Sequence, residues 1–144
     1  MKDSNLKIIP LGGLGEIGRN MMLYEYENSM LIVDCGSMFP QSDMLGIDYI
    51  IPDFQYLRSR KDKVLGIIIT HGHEDHIGAI HHLIQEVPVP IYGTQLTIGL
   101  IRVKLARRGL LDSTELHTVK AGEQIKVGPL RFISSMSAIP SLIQ

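Results

Sequence analysis

The segment from Val64 to His76 constrains this chain most. Six apolar or small residues, Val64-Leu65-Gly66-Ile67-Ile68-Ile69, read as one buried strand. They run directly into Thr70-His71-Gly72-His73-Glu74-Asp75-His76, where four potential metal ligands fall within six positions. Three imidazoles and a carboxylate are nitrogen and oxygen donors of borderline hardness, suited to zinc or manganese. Four ligands at this spacing crowd a single ion, so a pair of metals sharing the loop is the natural reading. His71 and His73 face one side of an extended turn, and Asp75 with His76 turns into a following helix towards a second ion. Two ions a few ångströms apart activate a shared hydroxide and clamp a phosphoryl oxygen. The reaction class is therefore hydrolysis of a phosphodiester, carboxyl ester or lactam, with Asp75 and His76 as the catalytic candidates. Asp34 and Thr70 are candidates to orient the imidazoles by hydrogen bonds from outside the ligand set. Glu74 faces solvent or a partner of that outer layer.

A polar loop that happens to hold three histidines is the bland alternative. Six histidines occur in 144 residues, and three of them share one hexapeptide beside an aspartate, which argues for the ligand reading. The other three read differently. His81 and His82 are expected as surface residues on the next helix, and His117 as structural.

The rest of the chain supplies a mixed α/β frame. Leu6 to Leu11 is a short strand entering a glycine loop. Met22/Tyr24/Tyr26 alternates with Leu23/Glu25/Glu27, so this stretch and Met30–Asp34 form two antiparallel strands joined at Asn28-Ser29. Residues 35–53 form a long loop, of a length that in compact domains usually carries function. A short helix follows over Phe54–Arg60, with Asp53 as its cap. Ile77, Ile80, Leu83, Ile84 and Val87 fit one helical face, ended by Pro88 and Pro90. Ile91–Gly93 is a strand, and Thr94–Arg108 a second helix with Leu96, Leu100, Val103 and Ile101 inward and Gly109 ending it. Leu116–Val119, Gln124–Val127 and Leu130–Ser134 are three short strands. The ligand loop thus sits at the C-terminal edge of a buried strand, where α/β folds place chemistry.

One motif competes with this reading. Gly13-Leu14-Gly15-Glu16-Ile17-Gly18 matches G-x-G-x-x-G, and Asp34 lies 16 residues beyond it, roughly where a ribose-binding acid sits in dinucleotide folds. That fold needs a helix after the glycines, and the period-two pattern there is a strand. A lone match of this motif is weak, and it leaves the histidines unexplained.

Composition narrows the setting. Cys35 is the only cysteine, so no internal disulfide forms and a reducing compartment is the default. Neither a signal-peptide core nor an apolar run of about 20 residues is present, and a cytoplasmic location is expected. A formal net charge of −1 gives no global basic field for nucleic acid. Local clusters remain: Lys104, Arg107 and Arg108 on the second helix, and Arg58, Arg60, Lys61 and Lys63 before the central strand. They are read either as phosphate contacts or as solvated faces.

His-x-His-x-Asp-His after a buried strand resembles the signature of the metallo-β-lactamase fold. Leu11–Asn20, Val33–Pro40, Asp43–Asp53 and Thr70–Ala79 together resemble the bacterial ribonuclease J family, of the β-CASP ribonucleases. The resemblance implies the N-terminal half of an αββα sandwich, a mixed sheet with flanking helices. It also implies a metal-dependent ribonuclease, acting on RNA from the 5′ end and internally in RNA maturation and decay. Two zinc ions are implied, with manganese as the alternative: His71 and His73 on one ion, Asp75 and His76 on the other, and Asp34 supporting the loop. The implied partners are RNA, further subunits in a dimer or tetramer, and an RNA-degrading assembly. In this family the glycine loop follows the first strand and binds no nucleotide cofactor.

Two departures bear on activity. Where the family carries a further metal histidine before Ser-Ile-Pro, this chain has Ser137 before Ala138-Ile139-Pro140. Residues 1–144 also lack the family's later ligands, its β-CASP domain and its C-terminal domain. The expectation is an incomplete metallo-β-lactamase domain with weak metal binding, little nuclease activity and one sheet face uncovered. The competing expectations are a thioester or lactam hydrolase of the same fold, and a non-catalytic module.

Overall fold

The computed structural model of the chain describes residues 5–134, so Ser137 and its neighbours lie outside the described residues. A six-stranded mixed sheet in sequential order carries the fold. Its strands are β1 (Leu6–Gly12), β2 (Met21–Tyr26), β3 (Ser29–Val33), β4 (Val64–Ile68), β5 (Ile91–Gly93) and β6 (Leu116–Thr118). The first three pair antiparallel, and β3 to β6 run parallel. In the antiparallel half a loop over residues 13–20 joins β1 to β2 and a tight turn joins β2 to β3, where Glu27 takes a left-handed φ of 53°. The parallel half needs crossovers. These carry α1 (Gln55–Arg58), α2 (Glu74–Ile77), α3 (Ile80–Glu86) and α4 (Gln95–Ala106).

Register explains why one face is covered. Ile9, Leu23, Ile32, Ile67, Ile91 and Leu116 are paired across all six strands. Period-two alternation puts this row on a single face. Leu23, Ile32, Ile67 and Ile91 are fully buried there, in one cluster with Phe54, Leu57, Ile77, Ile80, Leu83, Ile84, Ile98, Ile101 and Leu105 from the helices. The apolar face read for α3 is therefore the face it buries. Asp53 accepts from the Gln55 N–H at 2.9 Å, steadying the entry into α1.

The opposite row, Met22, Val33, Ile68, Tyr92 and His117, faces away from the helices. Its residues are partly buried. A hairpin of β7 (Gln124–Val127) and β8 (Leu130–Ile133) reaches it. Gly128 lies against Leu65, and Phe132 meets the Tyr92 ring edge-on at 6.1 Å. His117 has the structural place expected of it, stacked on Tyr92 at 4.7 Å.

On α4 the expected inward face is wrong except at Ile101. Leu96, Leu100 and Val103 are exposed, while Thr97, Ile98, Ile101 and Leu105 are buried. The helix carries two apolar stripes of similar strength. The one that docks is fixed by the strand before it and by the Thr94 cap, whose hydroxyl accepts from the Thr97 N–H. Gly109 closes the helix end with φ 68°.

Candidate metal centre

Strand β4 ends under the histidine loop, and the neighbouring β3 ends at Asp34. The Asp34 N–H donates to the Ile68 carbonyl at 2.9 Å, extending the parallel ladder by one bond. Its φ is then 63°, a left-handed conformation that aspartate tolerates better than most residues. This twist leaves the carboxylate, 5% exposed, under the loop. Asp34 Oδ1 accepts from the Thr70 N–H and Oδ2 from the Thr70 hydroxyl, both at 2.8 Å.

These bonds fix the imidazoles. His76 Nδ1 lies 2.7 Å from Asp34 Oδ2, so it carries the proton and donates. The Thr70 hydroxyl has given its hydrogen to Asp34, so Oγ1 accepts from His71 Nδ1 at 3.0 Å. Both rings are thereby held as Nδ1–H tautomers, and each keeps an Nε2 lone pair. One ligand atom each from His71, Asp75 and His76 lies within 4.8 Å of the other two. That donor set fits a divalent cation: two nitrogen lone pairs, a carboxylate oxygen, and hydrogen-bonded support behind both imidazoles. His71, expected on one ion with His73, thus lies within reach of Asp75 and His76, expected on the other. His73 is beside them, its ring edge-on to His71 at 4.6 Å between centroids, but it is not in the close group.

Backbone bonds hold the loop in place. The N–H groups of Asn20, Cys35 and Ser37 donate to the carbonyls of Asp75, His76 and Glu74 at 3.0, 2.8 and 3.0 Å. The contact is so close at Gly36 that a Cβ there would lie 1.6 Å from the Asp75 carbonyl oxygen. The side-chain amide of Asn20 adds donors to the Asp75 carbonyl (3.1 Å) and carboxylate (3.3 Å), and lies 3.4 Å from His76 Nε2. Asn20 and Gly36 were not singled out from sequence. The clue to Gly36 is a glycine two residues after the orienting acid, whereas nothing in the residue pattern marks Asn20.

Charge follows geometry. Burial lowers the pKa of His71, helped by the neighbouring His76 and His73. Burial also opposes protonation of His76, but its bond to Asp34 and the charges of Asp34 and Asp75 outweigh this and raise its pKa. Cys35, fully buried beside Asp34, has its thiol pushed far above the ordinary range by desolvation, which leaves it inert. Glu74 points away and holds Lys104, with both carboxylate oxygens 2.9–3.0 Å from Nζ. His81 corrects the sequence reading: it is buried, at 4% exposure. His82 is partly exposed and pairs with the Tyr49 hydroxyl at 2.7 Å.

Comparison with known proteins places this arrangement. Residues 14–113 match the family model of the metallo-beta-lactamase superfamily. Ribonuclease J of Helicobacter pylori strain 26695 is 53% identical over 107 residues, which are 74% of this chain and 16% of that protein. Ribonuclease J of Synechocystis is 45% identical over 124 residues, 85% of this chain and 19% of that protein. The chain thus spans about a fifth of the length of these curated relatives. A metallo-beta-lactamase fold protein of Bacillus subtilis superimposes with a TM-score of 0.57 at 20% identity, over 86% of this chain and 49% of that one. This likeness bears on the fold alone.

Proposed function

The chain belongs to the metallo-β-lactamase superfamily, and from that premise we propose that it forms the metal-binding part of a ribonuclease of the ribonuclease J type. The observation that carries this reading is the 45% identity to a ribonuclease J over 85% of the chain, in a stretch that includes the histidine loop. Among the described residues, no helix is long and apolar enough to cross a membrane.

His71, His73, Asp75 and His76 are the proposed ligands, for zinc or for manganese. Bound ions supply Lewis acidity for hydrolysis of an RNA phosphodiester. The chain's own part is positional. Asp34 holds His76 by Nδ1 and, through the Thr70 hydroxyl, fixes His71 as well. Asn20 ties the Asp75 backbone and carboxylate to the β1–β2 loop. The outer carboxylate thus serves two rings at once, so its loss affects both ligands.

The four ligands proposed among the described residues are fewer than the roughly six or seven donors that two ions of this kind take. The 144-residue chain is therefore expected to bind zinc weakly and to turn over little RNA. Zinc stoichiometry by competition with a chelating dye, together with cleavage of a 5′-monophosphorylated RNA, tests this. Full occupancy by two ions with multiple turnover would overturn the weak-binding claim. Absence of both zinc and RNA binding would overturn the ribonuclease reading itself.

A further inference from the structure

A cavity of about 230 Å³ opens between the histidine loop, α3 and α4. Water occupies about 30 Å³ per molecule, so the space holds a group several waters in size. Leu100 and Val103 form an apolar wall, and Gly72 and Glu74 bring the metal loop itself to its edge. Three cations, Lys104, Arg107 and Arg108, stand around it against one acid, Glu74. Lys104 is shared with Glu74. Among the described residues neither Arg107 nor Arg108 has a carboxylate partner.

His81 lines the same cavity, is 4% exposed, and has no hydrogen-bond partner at Nδ1 or Nε2. Buried polar atoms are nearly always paired, so this ring signals a missing partner. The charged and titratable groups acting on it are His82, Arg108, Lys104 and Glu74. Burial first, and then His82, Arg108 and Lys104, keep the ring neutral, and a neutral imidazole still offers one N–H donor. A donor at the base and cations at the rim select an anion, and the planar guanidinium forks match phosphate oxygens.

We propose that this cavity is a phosphate subsite, with His81 donating from one ring nitrogen and Lys104, Arg107 and Arg108 supplying the positive charge. The phosphate comes either from a polynucleotide strand or from free phosphate. The strand source rests on the ribonuclease reading, and the free-phosphate source does not.

The test uses the full 144-residue chain, isotopically labelled, in zinc-free buffer at constant ionic strength. It is titrated with inorganic phosphate and, separately, with an uncleavable 2′-O-methyl RNA oligomer, while the ring resonances of His71, His76 and His81 are followed. Saturable movement of His81 and of the Leu100 and Val103 methyls is expected with phosphate. Arg107→Gln and Arg108→Gln, both at exposed positions, should each weaken it about tenfold. No saturable shift, or one that Arg108→Gln leaves unchanged, overturns the subsite. If RNA moves His71 and His76 while His81 ignores both ligands, the subsite falls and the ribonuclease reading stands. If phosphate saturates His81 and RNA moves none of the rings, the subsite stands as a free-phosphate site, and the ribonuclease reading falls only if zinc binding is absent as well.

Discussion

His76 and His81 stand five positions apart, and their surroundings differ. His76 has its Nδ1 bonded to a buried carboxylate and its Nε2 beside Asp75. His81 is more deeply buried yet has neither nitrogen bonded, and the cations Arg108 and Lys104 near it outnumber its one acid, Glu74. The raised pKa of one and the lowered pKa of the other follow from that difference. A buried histidine is therefore not one kind of residue. The acid behind His76 prepares it to give a lone pair outward, whereas burial, helped by the cations around it, keeps His81 neutral beside an open space. Both depend on the same loop, since Gly72 and Glu74 line the cavity while Asp75 and His76 belong to the proposed ligand set.

The largest blow to this arrangement should come from Gly36→Ala. A Cβ there meets the Asp75 carbonyl and the His76 backbone nitrogen, and backbone cannot swing aside as a side chain can. The loop must leave residues 35–37, with loss of about 4 kcal/mol or more of stability. Denaturant unfolding would show a lower midpoint. A midpoint close to that of the wild type would mean that the loop is not clamped here.

A pH series separates the two histidines next. The folded pKa of His81 is lowered to about 4, by burial first and then by His82, Arg108 and Lys104, against about 6.5 in an unfolded chain. The unfolded state binds this proton first as pH falls, so the neutral ring's contribution is intact above pH 6.5 and is lost between 6.5 and 4. Its ceiling is about 3 kcal/mol. His76 has the opposite sign, because its raised pKa favours the folded state as it protonates. The comparison is therefore between wild type and His81→Phe, whose stability should fall less steeply through this window. Parallel curves would show that His81 titrates as an ordinary exposed imidazole.

These contrasts also mark what the residue pattern could convey. The strand and its ligand-rich loop were legible because both signals are local: an unbroken apolar run, then donors packed into six positions. The β2–β3 hairpin was legible by alternation. It displaced the dinucleotide reading because Met21–Tyr26 is a strand where that fold needs a helix. The docked face of α4 was not legible, since two apolar stripes compete and the choice is made by the sheet beneath. Nor was His81: its burial depends on α4 packing across α3, a contact with no local signature. Asp34 was found as an orienting acid, but its left-handed backbone and its second bond through Thr70 belong to the tertiary structure.

Asp34→Asn tests that relay. An amide keeps the shape but loses the charge that holds His76 Nδ1–H, and it weakens the acceptor for Thr70. Removal of such outer support costs about 10–100-fold in metal affinity, so zinc competition should show a loss in that range. His81→Phe, on the other side of the loop, should leave zinc affinity within about threefold. Equal effects from both substitutions would erase the distinction between the two histidines.

Gly99→Ala should have the smallest effect and the opposite sign. Gly99 lies inside α4 on an exposed turn, with nothing within 4 Å of an added Cβ. Interior helical glycine is less favourable than alanine by about 0.5–1 kcal/mol, through backbone entropy. A gain of that size in denaturant unfolding is therefore expected, with zinc affinity unchanged. The pair of glycines then isolates the cause. Gly36→Ala and Gly99→Ala add the same methyl group, and only the one pressed against the Asp75 carbonyl should destabilise the fold. A loss at Gly99 would mean that the exposed side of α4 is covered, and so would locate a contact made by its outer stripe of Leu96, Leu100 and Val103.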